Sequence, residues 1–232
     1  RAPQVAFGIS AQALPRYRSV ADLKGKKIGV SVSGSSSSLM ARLVLLQGGL
    51  RTGEVSFVQL GTARDALAAL RAGRIDAISS VDPVMTMLEQ GGDVRIISDS
   101  RTLKGAAEVF GGPMPAACLY APLGFTRKNP KTCQALANAM VRALKWLQTA
   151  APRDIIQTVP GSYLSGERAL YLASFDKLRE SISPDGVFAD DGPATALKAL
   201  SRLDASIKAG SIDLAATYTN AFASRAKERF KA

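Results

Sequence analysis

The chain predicts an α/β fold built on a parallel sheet. Between Lys27 and Ser98, four β-forming segments (KIGVSV, EVSFVQL, IDAISS and VRIIS) alternate with three helical stretches. Such alternation over short connections is the pattern of strands joined by crossover helices. Glycines close each helix, at Gly48-Gly49, Gly73 and Gly91-Gly92, as C-terminal glycines usually do. Four consecutive serines, Ser35 to Ser38, fall where the first of these strands gives way to a helix.

Pro3 to Ser10 alternates weakly and reads as a strand, and Ser19 caps a short turn or helix through Leu23. Lys27 to Val32 is the next strand, followed by a turn at Gly34 and a helix with Leu39, Met40, Leu43, Val44 and Leu46 on its apolar face. Glu54 to Leu60 is rich in β-formers. Thr62 and Asp65 make a capping-box-like start to a helix carrying Leu67 and Leu70. After the strand Ile75 to Ser80, Asp82-Pro83 opens a helix over Val84 to Gln90, with Pro in a permitted first-turn position. Val94 to Ser98 is the last strand of the alternating unit. Gly111 to Ala121 reads as a Gly/Pro-rich approach to another buried strand. The remainder is mainly helical. Asn129-Pro130 starts a helix with Leu136, Met140, Leu144 and Leu147 on one face, Pro152 to Val159 is short, and Ser165 caps a helix to about Ile182. Pro193 to about Ile207 and Asp213 to about Phe230 complete the chain.

The functional reading starts at the serines. A strand-to-helix turn carries free backbone N–H groups and the positive end of a helix dipole, and so forms an anion site. The hydroxyls of Ser33, Ser35, Ser36 and Ser37 would add donors. The plainer alternative is one N-capping serine among small polar loop residues. In open parallel sheets ligands sit beyond the carboxyl ends of the strands. Three turns fall there, at Ser33–Ser37, Gly61–Thr62 and Ser79–Asp82, all rich in small and hydroxyl residues.

Composition sets bounds. The 232 residues are 47% hydrophobic, enough to bury a core, and contain no histidine, which removes the commonest metal ligand and neutral-pH base. The formal charge is +11. Its cations are spread along the sequence without a nucleic-acid-binding motif, so they read as a solvated surface with a long-range bias toward anions. The N-terminus, RAPQVAFGIS, lacks the basic-then-apolar shape of a signal peptide. Cys118 reads as a strand residue and Cys133 as a helix start, and two buried free thiols are expected, although an oxidising compartment would allow a disulfide.

Several stretches, in order, resemble one family. They are SVADLKGKKIGV (Ser19 to Val30) with the Gly-Ser turn after it, ALRAGRIDAISSVDPVM (Ala69 to Met85), FGGPMPAACLYAP (Phe110 to Pro122), RKNPKTCQALANAMVRALKWL (Arg127 to Leu147) and DLAATYTNAF (Asp213 to Phe222). Together they resemble the periplasmic substrate-binding proteins of the sulfonate, nitrate, taurine and thiamine-precursor ABC importers. The resemblance implies an α/β, two-lobed periplasmic-binding-protein fold of type II. One complete parallel-sheet lobe would span residues 19–109, and a partial, mainly helical first lobe would comprise residues 1–18 and 110–232. It implies capture of a small anionic or zwitterionic molecule between the lobes and delivery to a membrane permease from the periplasm, with no catalysis, cofactor, metal or nucleic acid. Ser33, Gly34, Ser35, Ser36, Ser37, Thr62, Ser80, Asp82, Gly112 and Pro113 would line the cleft or its hinge. Asp82 would pair with a ligand amine or else cap the helix after Pro83. Family members often carry a tryptophan just before the Asp-Pro, where this chain has Ser80-Val81. They also begin with a further stretch that builds the first lobe. Without it, the helices beginning at Asn129 and Ser165 would expose apolar faces, which predicts self-association. Two alternatives share the scaffold: a ligand-sensing domain of a transcriptional regulator, which needs a DNA-binding segment upstream, and an enzyme of the thiamine-pyrimidine-synthase type, which relies on a histidine and metal-binding residues.

Overall fold

Five short segments of the chain find each other as strands: β1 (Val5–Ser10), β2 (Lys27–Val30), β3 (Ser56–Gln59), β4 (Ala77–Val81) and β5 (Val94–Asp99). The computed structural model describes residues 1–61, 63–164 and 167–232. The strands form one sheet in the order β3-β2-β4-β1-β5. β2 pairs in parallel with β3 and β4, as the alternation predicts. The sheet is nevertheless mixed, because β1 lies antiparallel between β4 and β5. The sequence reading places residues 1–18 with the first lobe, yet their strand pairs with strands of residues 19–109. All six residues of β1 are buried, since both faces of a central strand are covered. That removes the polar alternation that marks a half-exposed strand.

Helices cover both faces. α1 (Ser36–Gln47) and α4 (Leu103–Phe110) bury Met40, Leu43, Leu45, Val109 and Phe110 against Val5, Phe7, Ile9, Ile28 and Val30. On the other face α2 (Ala63–Arg71) and α3 (Val84–Gln90) set Leu70, Met85 and Leu88 against Ala6 and Ile78. Helix α4 is absent from the sequence reading, because a glycine in an eight-residue segment argues against a helix. Thr102 caps it by accepting from the Gly105 amide at 3.0 Å. A Cβ at Gly105 would stand 1.8 Å from the Asp99 carbonyl oxygen, so glycine is what lets α4 approach β5.

Gly111, at φ +84°, ends α4 in the left-handed conformation. The strand expected over Gly111 to Ala121 does not form. Residues 117–125 are exposed and Cys118 with them, whereas Cys133 is buried as expected. The rest of the chain is helical: α5 (Leu123–Lys128), α6 (Pro130–Thr149), α7 (Pro152–Thr158), α8 (Gly161–Leu164), α9 (Arg168–Leu178), α10 (Gly192–Ser201) and α11 (Ala221–Phe230). The cap expected at Ser165 lies outside the described residues. In α6 the buried side is Cys133, Ala137 and Val141, while Leu136 and Met140 are exposed. The helix expected from Asp213 shrinks to α11. Asp213 folds back on the Ala215 amide, and Asn220 pins the chain by bonding both the amide and the carbonyl of Phe188. α11 runs alongside α6 in the same direction, with Gln134 Nε2 on the Phe222 carbonyl and Lys145 Nζ on that of Phe230.

Candidate functional site

The chain leaves the sheet after Val30, and the turn that follows is held by its own serines. Gly34, at φ +80°, makes the reversal. Ser35 is the N-cap of α1. Its Oγ donates to the Val32 carbonyl at 2.7 Å, sits 2.8 Å from Ser37 Oγ, and accepts a long bond from the Ser38 amide. Ser37 Oγ accepts from the Ser31 amide and lies 3.3 Å from Ser31 Oγ. Ser35 and Ser37 therefore brace the turn from inside. The Ser33 and Ser36 side chains are exposed and bond to none of the described residues. Nor does any described acceptor take the amides of Ser36 and Ser37. The twelve-residue α1 thus presents two free amides and a hydroxyl at its positive end.

Parallel pairing brings the other turns alongside. Gly29 stands opposite Ile78, so Ser31 and Ser80 reach the same level at the carboxyl ends of β2 and β4. On the far side, the Leu60 amide bonds the Val30 carbonyl, which carries exposed Gly61 to the same edge. Thr62 lies outside the described residues. Ser80 is buried at this edge, and the neighbouring Ser79 is wholly buried with an Oγ that bonds to none of the described residues. Ser79 shares the face of Ala77, the face on which α1 packs. Gly112 and Pro113 follow α4, whose Val109 carbonyl holds Gln47 Nε2 at the opposite end of α1. A Cβ on Gly112 would meet Thr195 of α10 at 2.8 Å, which makes that glycine a packing residue.

Asp82 is committed elsewhere. Its carboxylate is buried, accepts from the Thr86 amide at 2.8 Å in the first turn of α3, and lies 3.4 Å from Arg101. Arg101 is itself 1% exposed and also holds Asp99 at 2.7 Å and Glu89 at 3.3 Å. Burial pushes the Arg101 guanidinium toward losing its proton, but the carboxylates of Asp99, Asp82 and Glu89 outweigh that and hold it charged, above its ordinary value. Lys177 of α9 completes the group on Glu89. Asp82 stands one residue before the N-cap, Pro83, and still ties down an amide of the first turn of α3, while its carboxylate faces an arginine. Arg101 and Lys177 carry no sequence signal, since an arginine after a strand looks like any surface cation.

What the edge can do chemically is hold an anion by hydrogen bonds. Among the described residues no group of three or more His, Cys, Asp or Glu could hold a metal ion, and no helix is long and apolar enough to cross a membrane.

Comparisons with known proteins bear on the family and the fold. The chain is 33% identical over 100 residues to a putative aliphatic sulfonates-binding protein of Escherichia coli K12, a match covering 43% of this chain and 31% of that protein. The chain thus spans about a third of the length of that curated relative. A solved protein from Bordetella bronchiseptica RB50 superposes with a TM-score of 0.92 at 49% identity, over 100% of this chain and 73% of that one. The alkanesulfonate-binding protein SsuA from Xanthomonas axonopodis pv. citri, solved bound to MOPS, has the same fold, with a TM-score of 0.63 at 20% identity over 90% of this chain and 67% of its own. The sequence pattern of the NMT1-like family matches residues 9–159, and the chain belongs to that family.

Proposed function

We propose that this chain is a solute-binding component of an ABC importer, and that it captures a small organic sulfonate or similar anion and hands it to a membrane permease in the periplasm. The observation that carries the reading is the start of α1, where the amides of Ser36 and Ser37 and the exposed hydroxyls of Ser33 and Ser36 have no partner among the described residues. A tetrahedral anion seated there would accept from both amides, with Gly34 leaving room for its approach and Ser80 and Gly61 beside it. The sulfonate class follows from the name of the Escherichia coli relative and from the MOPS in the Xanthomonas protein. The cleft would lie between the unit of residues 19–109 with β1 and the helical remainder. Binding and release, with no bond made or broken, is the whole of the activity.

A thermal-shift panel of alkanesulfonates, taurine, nitrate and aromatic carboxylates tests this. A ligand at about a hundred times its dissociation constant adds about 2.7 kcal/mol of stability. The expected result is a clear shift with a sulfonate that is much smaller in Ser36→Pro, which lacks one of the two amides and one hydroxyl. A shift of equal size in the variant would remove the serine turn from the site.

A further inference from the structure

Along the sequence the cations look dispersed, but folding gathers nine of the thirty on neighbouring helices. α5, α6 and α11 with the residues just after it carry Arg127, Lys128, Lys131, Arg142, Lys145, Arg225, Lys227, Arg229 and Lys231 against a single acid, Glu228. That is a formal +8 of the molecule's +11, on helices packed side by side. All nine cations are exposed. Only Lys227 has a carboxylate within ion-pair distance among the described residues, on Asp185 at 2.7 Å. The remaining eight have no such partner. A groove of about 370 Å³ between α6 and α11 is lined by Lys131, Gln134, Asn138, Arg225 and Arg229. Further along, Arg142 and Arg229 both stand over the Phe230 ring, at 5.7 and 5.4 Å. Lys145 is held by the carbonyls of Phe230 and Lys231, so its charge is fixed at the same edge.

Eight cations without counter-charges on three neighbouring helices, five of them (Lys131, Arg142, Lys145, Arg225 and Arg229) along the α6–α11 seam, make a positive field that attracts anionic partners. α6 alone is about 30 Å long, so the cations extend well beyond what one small ligand would touch. Trp146 lies half-exposed one residue from Lys145, and tryptophan beside cations is the composition of a lipid–water boundary. We infer that the α6–α11 face docks on the phosphate headgroups of an anionic bilayer, with the groove between Lys131 and Arg229 receiving a headgroup. This goes beyond the solute-binding role and does not depend on the serine turn. It would hold the protein near the membrane in which a permease sits.

Vesicle co-sedimentation tests it, with phosphatidylcholine vesicles alone and with a quarter phosphatidylglycerol. The chain should sediment with the anionic vesicles at low salt, detach at high salt, and ignore the neutral ones. Each cation near such a surface is worth about fivefold in partitioning, so Lys131→Gln/Arg225→Gln/Arg229→Gln should weaken binding about a hundredfold. The control Arg16→Gln/Arg18→Gln/Arg74→Gln removes the same charge from exposed positions elsewhere and should keep most of the binding. Equal loss in both triple variants would reduce the effect to net charge and overturn the assigned face. Binding to neutral vesicles, or none to anionic ones, would overturn the inference outright. Capture by polyglutamate without vesicle binding would assign the face to an acidic protein instead.

Discussion

Ser35 and Ser36 are adjacent, yet their side chains face different tasks. The Ser35 hydroxyl is spent inside the turn, on the Val32 carbonyl and on Ser37, and it caps α1. Replacing it with alanine should cost about 1 kcal/mol of stability, read by urea denaturation. Ser36 occupies the first helical position, where proline is well tolerated because its missing N–H would be unpaired anyway. Ser36→Pro should therefore leave stability within about 0.5 kcal/mol. It would also remove one donor of the proposed anion site, and sulfonate affinity should fall by about tenfold or more, the weight of a hydrogen bond to a charged group. Unchanged affinity in Ser36→Pro, measured by calorimetry, would mean that the anion does not use that amide. The serine turn was legible in the sequence because its signal is local: a strand, a glycine, hydroxyl residues and an apolar helix follow in order. The division of labour among the serines was not legible, because it depends on which hydroxyls fold back onto Val32 and Ser31.

Between elements, a buried arginine joins α3, β5 and α9. Arg101 meets Asp82 at the start of α3 and Asp99 at the end of β5, and through Glu89 it meets Lys177 of α9. Of the three acids only Asp82 is fully buried; Asp99 and Glu89 are about one-third exposed. Removing the guanidinium strands one buried carboxylate, which costs about 3 kcal/mol or more. Arg101→Leu should show that loss in urea denaturation, and Arg101→Leu/Asp82→Asn should recover a good part of it. Equal losses in the two variants would mean that packing, not the stranded charge, sets the cost. This tie could not be read from sequence, because Asp82, Glu89 and Asp99 lie 19, 12 and 2 residues from Arg101 and their meeting is a tertiary fact. Helix α4 escaped for a related reason. Gly105 speaks against a helix locally, and only the closeness of the Asp99 carbonyl explains it. The same holds for α6, where helical spacing found Leu136 and Met140 together but could not say which side would be buried.

At the scale of the molecule, the alternating unit of residues 27–99 was legible nearly throughout, since period and punctuation agree there. What it lacked was β1, which enters antiparallel between β4 and β5. Pro3 to Ser10 reads as a strand, but nothing in it says that it enters antiparallel between strands distant in sequence. The sheet then sets the functional geometry. β2, β3 and β4 end at one edge, α1 begins there, and the turns after the strands supply small and hydroxyl groups. The cationic face of α6 and α11 lies on the helical remainder and follows from the parallel packing of those two helices. The central claim is that an anion is held by the start of α1. The most direct measurement is a backbone amide titration of the isotopically labelled chain with an alkanesulfonate, followed by NMR. The account predicts that the largest shifts fall on Ser36 and Ser37, with smaller ones at Gly34, Gly61 and Ser80. Saturable shifts centred elsewhere, with Ser36 and Ser37 unmoved, would contradict it.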